Sequence, residues 1–124
     1  MTVTHPFGLA IEAHDEDAAV ATLSDDVVFQ SPAVYKPYHG RDQVEAVLRL
    51  VATVFVDFRY TNEWRDGRTT ILFFEAHVGN RELQGVDILE DDDAGKVARF
   101  TVMIRPLSGL QAVAAAMAAK LGVA

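Results

Sequence analysis

The chain is 124 residues long, room for one domain (1–124) but not two, and half of it is hydrophobic, enough for a sizeable core. It carries 11 basic against 18 acidic residues, a formal charge of −7 with a pI near 4.9. That balance argues against nucleic acid and against an anionic membrane surface as partners. There is no cysteine, which excludes disulfides, thiolate metal sites and a cysteine nucleophile, and which is compatible with the expected cytoplasmic setting.

Met1 to Pro6 show no basic stretch followed by an apolar run, so no signal peptide is expected. The longest apolar stretch, Val44 to Phe58, is interrupted by Glu45, Arg49 and Asp57, so no membrane span is expected either. A helix is predicted over about Phe7 to Leu23, where Leu9, Ala10, Ala13, Val20 and Leu23 share a stripe. The polar run His14-Asp15-Glu16-Asp17 leaves open two helices with a bend. Ser24-Asp25-Asp26 reads as a turn, and Val27 to Ser31 as a short strand ended by Pro32. A loop with Pro32, Pro37 and Gly40 follows, then a helix from Arg41 to Val54, with Asp42 suited to its N-terminal dipole.

From Asp57 the period changes to two. Phe58, Tyr60 and Trp64 alternate with polar residues, giving a strand with one dry face. Asp66-Gly67 is a hairpin turn, Thr69 to Val78 a strand, Gly79-Asn80 another turn, and Glu82 to Glu90 a third strand. The turn Asp91 to Lys96 leads into a last strand, Val97 to Leu107, and Ser108 is placed to cap a final helix with Leu110, Val113, Ala114, Met117 and Leu121 on one face. Runs of helix followed by a meander of long strands mean α+β with an antiparallel sheet, not a parallel α/β sheet.

Side-chain direction selects the candidate site. A two-residue turn at Gly79-Asn80 sets Ala76 opposite Leu83, Phe74 opposite Gly85 and Leu72 opposite Asp87. One face of the hairpin is then apolar except for Asp87. A charged carboxylate on such a wall costs several kcal/mol, so its pKa should rise or it should find a partner. The plainer alternative is a strand-end carboxylate touching water. In the last strand, Phe100, Val102 and Ile104 are placed inside.

The element order, together with Asp25-Asp26-Val27-Val28-Phe29-Gln30-Ser31-Pro32, Gly40-Arg41, Gly85-Val86-Asp87 and Asp93-Ala94-Gly95-Lys96-Val97, resembles the SnoaL-like branch of the nuclear transport factor 2-like superfamily. The resemblance covers nearly the whole chain. It implies a curved, cone-shaped sheet with helices on its concave face, a pocket between them, and a homodimer through the outer sheet face. The C-terminal helix read from the residues is longer than the isomerase pattern needs. Members include steroid isomerases, polyketide cyclases, epoxide hydrolases and dehydratases, so the fold alone does not assign a function. The isomerase pattern places Asp87 on a protonated carboxyl, but Ser31 stands at the base position and Phe7 at the phenol position. A serine is no base near neutral pH and a phenyl ring donates nothing, so steroid isomerisation by that mechanism is not expected. The epoxide hydrolase pattern wants an Arg where Gly85 stands.

The resulting expectation is a small apolar molecule held in the cone, with Asp87 as the catalytic candidate. Ser31, Tyr60, Trp64, Phe74, Phe100, Val102 and Phe7 are the ligand-contact candidates. The alternatives are an acid/base enzyme of cyclase, dehydratase or isomerase type, and a non-catalytic dimeric interaction module. No cofactor is expected, and no metal. Glu75 and His77 share a face, but a polar network with Glu82 and Gln84 on the outer side of the sheet is the simpler reading.

Overall fold

The N-terminal helical stretch is divided in two in the computed structural model, which describes residues 3–122. Met1 and Thr2, part of the stretch read for a signal sequence, lie outside the described residues. Helix α1 (Pro6–Glu12) is capped by His5, whose Nδ1 accepts from the Phe7 amide at 3.0 Å. His14 then takes a left-handed φ of +56°, and Asp15 caps α2 (Glu16–Ala21) by accepting from the Ala18 amide at 3.0 Å. The polar run breaks the helix because it supplies the start of the next one. Leu23, expected to end the helix, opens strand β1 (Leu23–Gln30) instead.

Among the described residues the sheet has six strands in the order β2-β1-β6-β5-β4-β3, curved and unclosed. The others are β2 (Tyr38–His39), β3 (Val56–Asp66), β4 (Thr69–Val78), β5 (Arg81–Asp91) and β6 (Val97–Arg105). Two corrections to the expected sheet follow. It is not wholly antiparallel, because β1 lies parallel to β6. The segment read as a loop before Gly40 adds a two-residue edge strand, which pairs with Val28 and Phe29. The expected turn at Ser24–Asp26 is a bulge within β1: Leu23 pairs with Val97 and Val28 with Arg99, so the intervening residues loop out of the ladder.

Helix α3 (Arg41–Ala52) forms where expected, with Asp42 in its first turn. Helix α4 (Leu107–Lys120) begins earlier than expected. Pro106 is its N-cap, Ser108 sits inside the first turn, and no side chain caps it.

Strand β3 carries two bulges, and they decide what the cone contains. Val56 pairs with His77 but Arg59 with Glu75, so one extra residue lies between them; Tyr60 pairs with Phe74 but Asn62 with Phe73, which makes Thr61 extra. The first bulge turns Phe58 and Tyr60 inward. The second returns Asn62 and Trp64 to the outer face and sends Glu63, opposite Leu72, inward. Glu63 there accepts from the Thr4 and His5 amides at 3.1 and 3.0 Å, tying the N-terminal segment to the sheet.

The β4–β5 hairpin has the expected register, with Gly79 at φ +57° in its turn. Its inner face, Thr70, Leu72, Phe74, Ala76, Leu83, Gly85, Asp87 and Leu89, is buried. Gly85 is required by close approach. A Cβ there would stand 2.4 Å from the Phe74 ring and 2.5 Å from the Met103 carbonyl oxygen. Since the carbonyl is backbone, Gly85→Ala should destabilise the fold by about 1–3 kcal/mol. Thermal unfolding checks this; an unchanged melting temperature would contradict the packing.

Candidate functional site

Helices α1, α3 and α4 cover the concave face without filling it. Between them and the sheet lies a cavity of about 1030 Å³. Asp87 sits on β5 with Leu72 of β4 on one side and Val102 of β6 on the other. Two aromatic groups stand to either side. On the β3–β4 side, Phe58 stacks on Phe74 with centroids 4.8 Å apart and meets Tyr60 edge-on at 5.0 Å. On the β1–β6 side, Phe100 meets Phe7 and Phe29 edge-on at 5.0 and 5.1 Å. All of these rings line the cavity, as do Val47, Leu48 and Val51 of α3 and Met117 of α4.

Asp87 is 5 % exposed, and the buried Tyr60 hydroxyl donates to its Oδ2 at 2.6 Å. Oδ1 makes no hydrogen bond to any described residue. Burial pushes the Asp87 carboxyl from the usual 3.8 up to about 7, with the Tyr60 hydrogen bond pulling the other way. Burial and the Asp87 charge together hold the Tyr60 phenol well above 10, so it stays a donor. Such a carboxyl is available in both protonation states near neutral pH, the condition in which one group can give or take a proton.

Of the residues singled out in the sequence, Asp87, Ser31, Tyr60, Phe74, Phe100, Val102 and Phe7 all line the cavity. Trp64 does not. It is 53 % exposed on the outer face, because the Thr61 bulge reverses the alternation that placed it beside Phe58 and Tyr60. Ser31 borders the cavity but is not bonded to Asp87; its Oγ accepts from the Ala33 and Val34 amides at 3.0 and 3.1 Å, shaping the loop after β1. The Tyr60–Asp87 bond itself was not anticipated. Its signal was the tyrosine on the dry face of the strand next to the hairpin, since a buried hydroxyl seeks a partner.

Glu75 and His77 lie on the outer side, as expected. Arg59 and Gln84 donate to Glu75 at 3.3 and 3.1 Å. Among the described residues no three His, Cys, Asp or Glu side chains gather as a metal site would need, and no helix is long and apolar enough to cross a membrane.

The sequence pattern of the SnoaL-like domain matches residues 7–103. A steroid Δ-isomerase from Pseudomonas aeruginosa is similar in structure at a TM-score of 0.87 and 43 % identity, over 91 % of this chain and 84 % of that one. A protein with a cystatin-like fold from Silicibacter pomeroyi superposes at a TM-score of 0.88 and 34 % identity, over 96 % and 87 %. An NTF2-like protein of unknown function from Burkholderia xenovorans, 22 % identical with a TM-score of 0.69 over 86 % of each chain, shares the fold alone. No curated protein matches.

The raised carboxyl has a stability consequence with a definite sign. Between roughly pH 4 and roughly pH 7 the native Asp87 keeps a proton that the unfolded chain releases, so its contribution to stability falls as pH rises through that window. Asn at this position has no proton to hold. The melting temperature of Asp87→Asn should therefore gain on that of the wild type from about pH 4 to about pH 7 and level off above. A difference independent of pH would show that the carboxyl is not desolvated.

Proposed function

From the premise that the chain belongs to the SnoaL-like domain family, we propose that it binds a small, largely apolar molecule in the cone, with that molecule's polar group against Asp87. One observation carries the reading: an enclosed carboxyl whose Oδ1 makes no hydrogen bond to a described residue, set among aromatic rings at the wall of a large cavity. A few placed polar groups in an apolar hollow are the usual composition of a ligand site. Tyr60 orients the carboxyl by holding Oδ2, which leaves Oδ1 for the guest. It accepts from a hydroxyl or amine when ionised and donates to a carbonyl when neutral. The cysteine-free composition fits work in the cytoplasm. Trp64 and Met103, 53 % and 57 % exposed on the outer sheet face, fit pairing with a second copy there.

A second reading, an acid/base enzyme of cyclase, dehydratase or isomerase type, is favoured by the position of the Asp87 carboxyl near pH 7. The similarity to the Pseudomonas aeruginosa steroid Δ-isomerase adds to it. Ser31 and Phe7 still stand where the isomerase pattern wants a base and a phenol, and Tyr60 brings a phenol to the carboxyl from a different element. Chemistry here would run through Asp87, the buried carboxyl of the cavity, as the proton-handling group.

Neutral two- and three-ring ketones and alcohols should raise the melting temperature of the wild type. Above about pH 7, where the carboxyl is ionised, Asp87→Asn should weaken binding of the alcohols by about tenfold, the loss of a charged acceptor, and leave binding of the parent hydrocarbons unchanged. A panel that shifts nothing would overturn the binding reading. For any substrate found, Asp87→Asn should abolish turnover without unfolding the protein, and the wild-type rate should turn over near pH 7. Retained turnover would exclude the acid/base reading.

A further inference from the structure

Where α3 hands over to β3, the chain passes through the first of the two bulges, and Asp57 occupies it with φ at +55°. That conformation is uncommon for a residue with a side chain, and glycine is its usual occupant at a bulge. Phe55, Asp57, Phe58 and Arg59 all border the cavity. The setting of residue 57 therefore decides where the Phe58 ring stands, and with it the stack on Phe74.

Two neighbours hold Asp57. The Arg59 guanidinium donates to its carbonyl oxygen at 3.0 Å, and His77 Nε2 lies 3.0 Å from its carboxylate Oδ2. The other ring nitrogen of His77, Nδ1, lies 3.0 Å from the Gly79 carbonyl oxygen. A carbonyl and a carboxylate only accept, so both nitrogens have to donate, and only the imidazolium does that. We propose that His77 is a positioning residue: its imidazolium clamps the Asp57 bulge, and loss of its proton releases the bulge and loosens the Phe55–Phe58 wall of the cavity.

The surrounding charges agree. Asp57 and Arg59 face His77 from β3, Glu75 from its own strand, and Glu82 from the paired position on β5. Helix α4, packed on the other side of β4 and β5, carries no titratable side chain before Lys120. Carboxylates outnumber the guanidinium, and the Asp57 hydrogen bond foremost holds the imidazole above its ordinary 6.5. Because the folded value is the higher one, the clamp is complete below 6.5 and is lost as pH rises through the folded value. The consequence for ligands rests on the cavity being the binding site; the clamp itself does not.

Amide hydrogen exchange of the ligand-free chain, corrected for intrinsic rates, tests the clamp at about pH 5.5 and about pH 8.5. Protection at residues 55–59 should fall about tenfold or more at the higher pH relative to β5. It should be low at both pH values in His77→Gln, and independent of pH in Asp57→Gly, where glycine accepts the backbone without help. Because Asp87 titrates in the same range, the fall should persist in Asp87→Asn. Equal protection at both pH values in the wild type, or a fall that disappears with Asp87→Asn, would overturn the proposal. In parallel, the neutral fluorophore N-phenyl-1-naphthylamine should enter faster at the higher pH. If it never binds, the cavity reading fails while the exchange result still judges the clamp.

Discussion

The structure turns on one hydrogen bond, from the Tyr60 hydroxyl to the Asp87 carboxyl. It joins strands that are not neighbours, β3 and β5, across the intervening β4. For it to form, the β4–β5 hairpin must turn in two residues so that Asp87 faces in, and β3 must be bulged so that Tyr60 does as well. A shift of one residue in either pairing would send one partner to the outer face and leave the other alone in an apolar hollow, at a cost of several kcal/mol for a charged group. The carboxyl is thus both the polar centre of the cavity and a condition on the register of three strands.

Much of this was legible in the amino-acid sequence. Gly79-Asn80 specifies a tight turn, and a tight turn settles which residues of both hairpin strands share a face; Asp87 followed from that alone. The order of the longer elements and the α+β class followed from helical spacing before Val54 and a change to a period of two near Asp57. The bulges were hidden because neither Asp57 nor Thr61 is a glycine, and Phe58, Tyr60 and Trp64 at even spacing read as an unbroken strand despite the polar Asn62 between the last two. Trp64 was misplaced for that reason. The parallel pairing of β1 with β6 and the two-residue β2 depend on contacts between segments far apart in the chain, which local pattern does not encode.

The strand that carries Tyr60 inward also carries a second polar system outward. Asp57, Arg59, Glu75 and His77 form a surface network over the start of β3, and one residue from Asp57 the Phe58 ring meets both Tyr60 and Phe74. The inner and outer systems therefore share a backbone segment whose unusual φ needs support. Family membership accounts for the curved sheet, which a steroid Δ-isomerase from Pseudomonas aeruginosa shares. In this chain Ser31 borders the cavity at the end of β1, and β3 brings the Tyr60 phenol to the buried Asp87 carboxyl.

Titration of the Asp87 side-chain carboxyl carbon by NMR is the most direct test of that group. A midpoint near 7, moving higher when Tyr60→Phe removes the donor, is the expected result. A midpoint near the ordinary aspartate value of about 4, unmoved by Tyr60→Phe, would mean that the carboxyl faces water, and the buried anchor on which the cavity's chemistry depends would not exist.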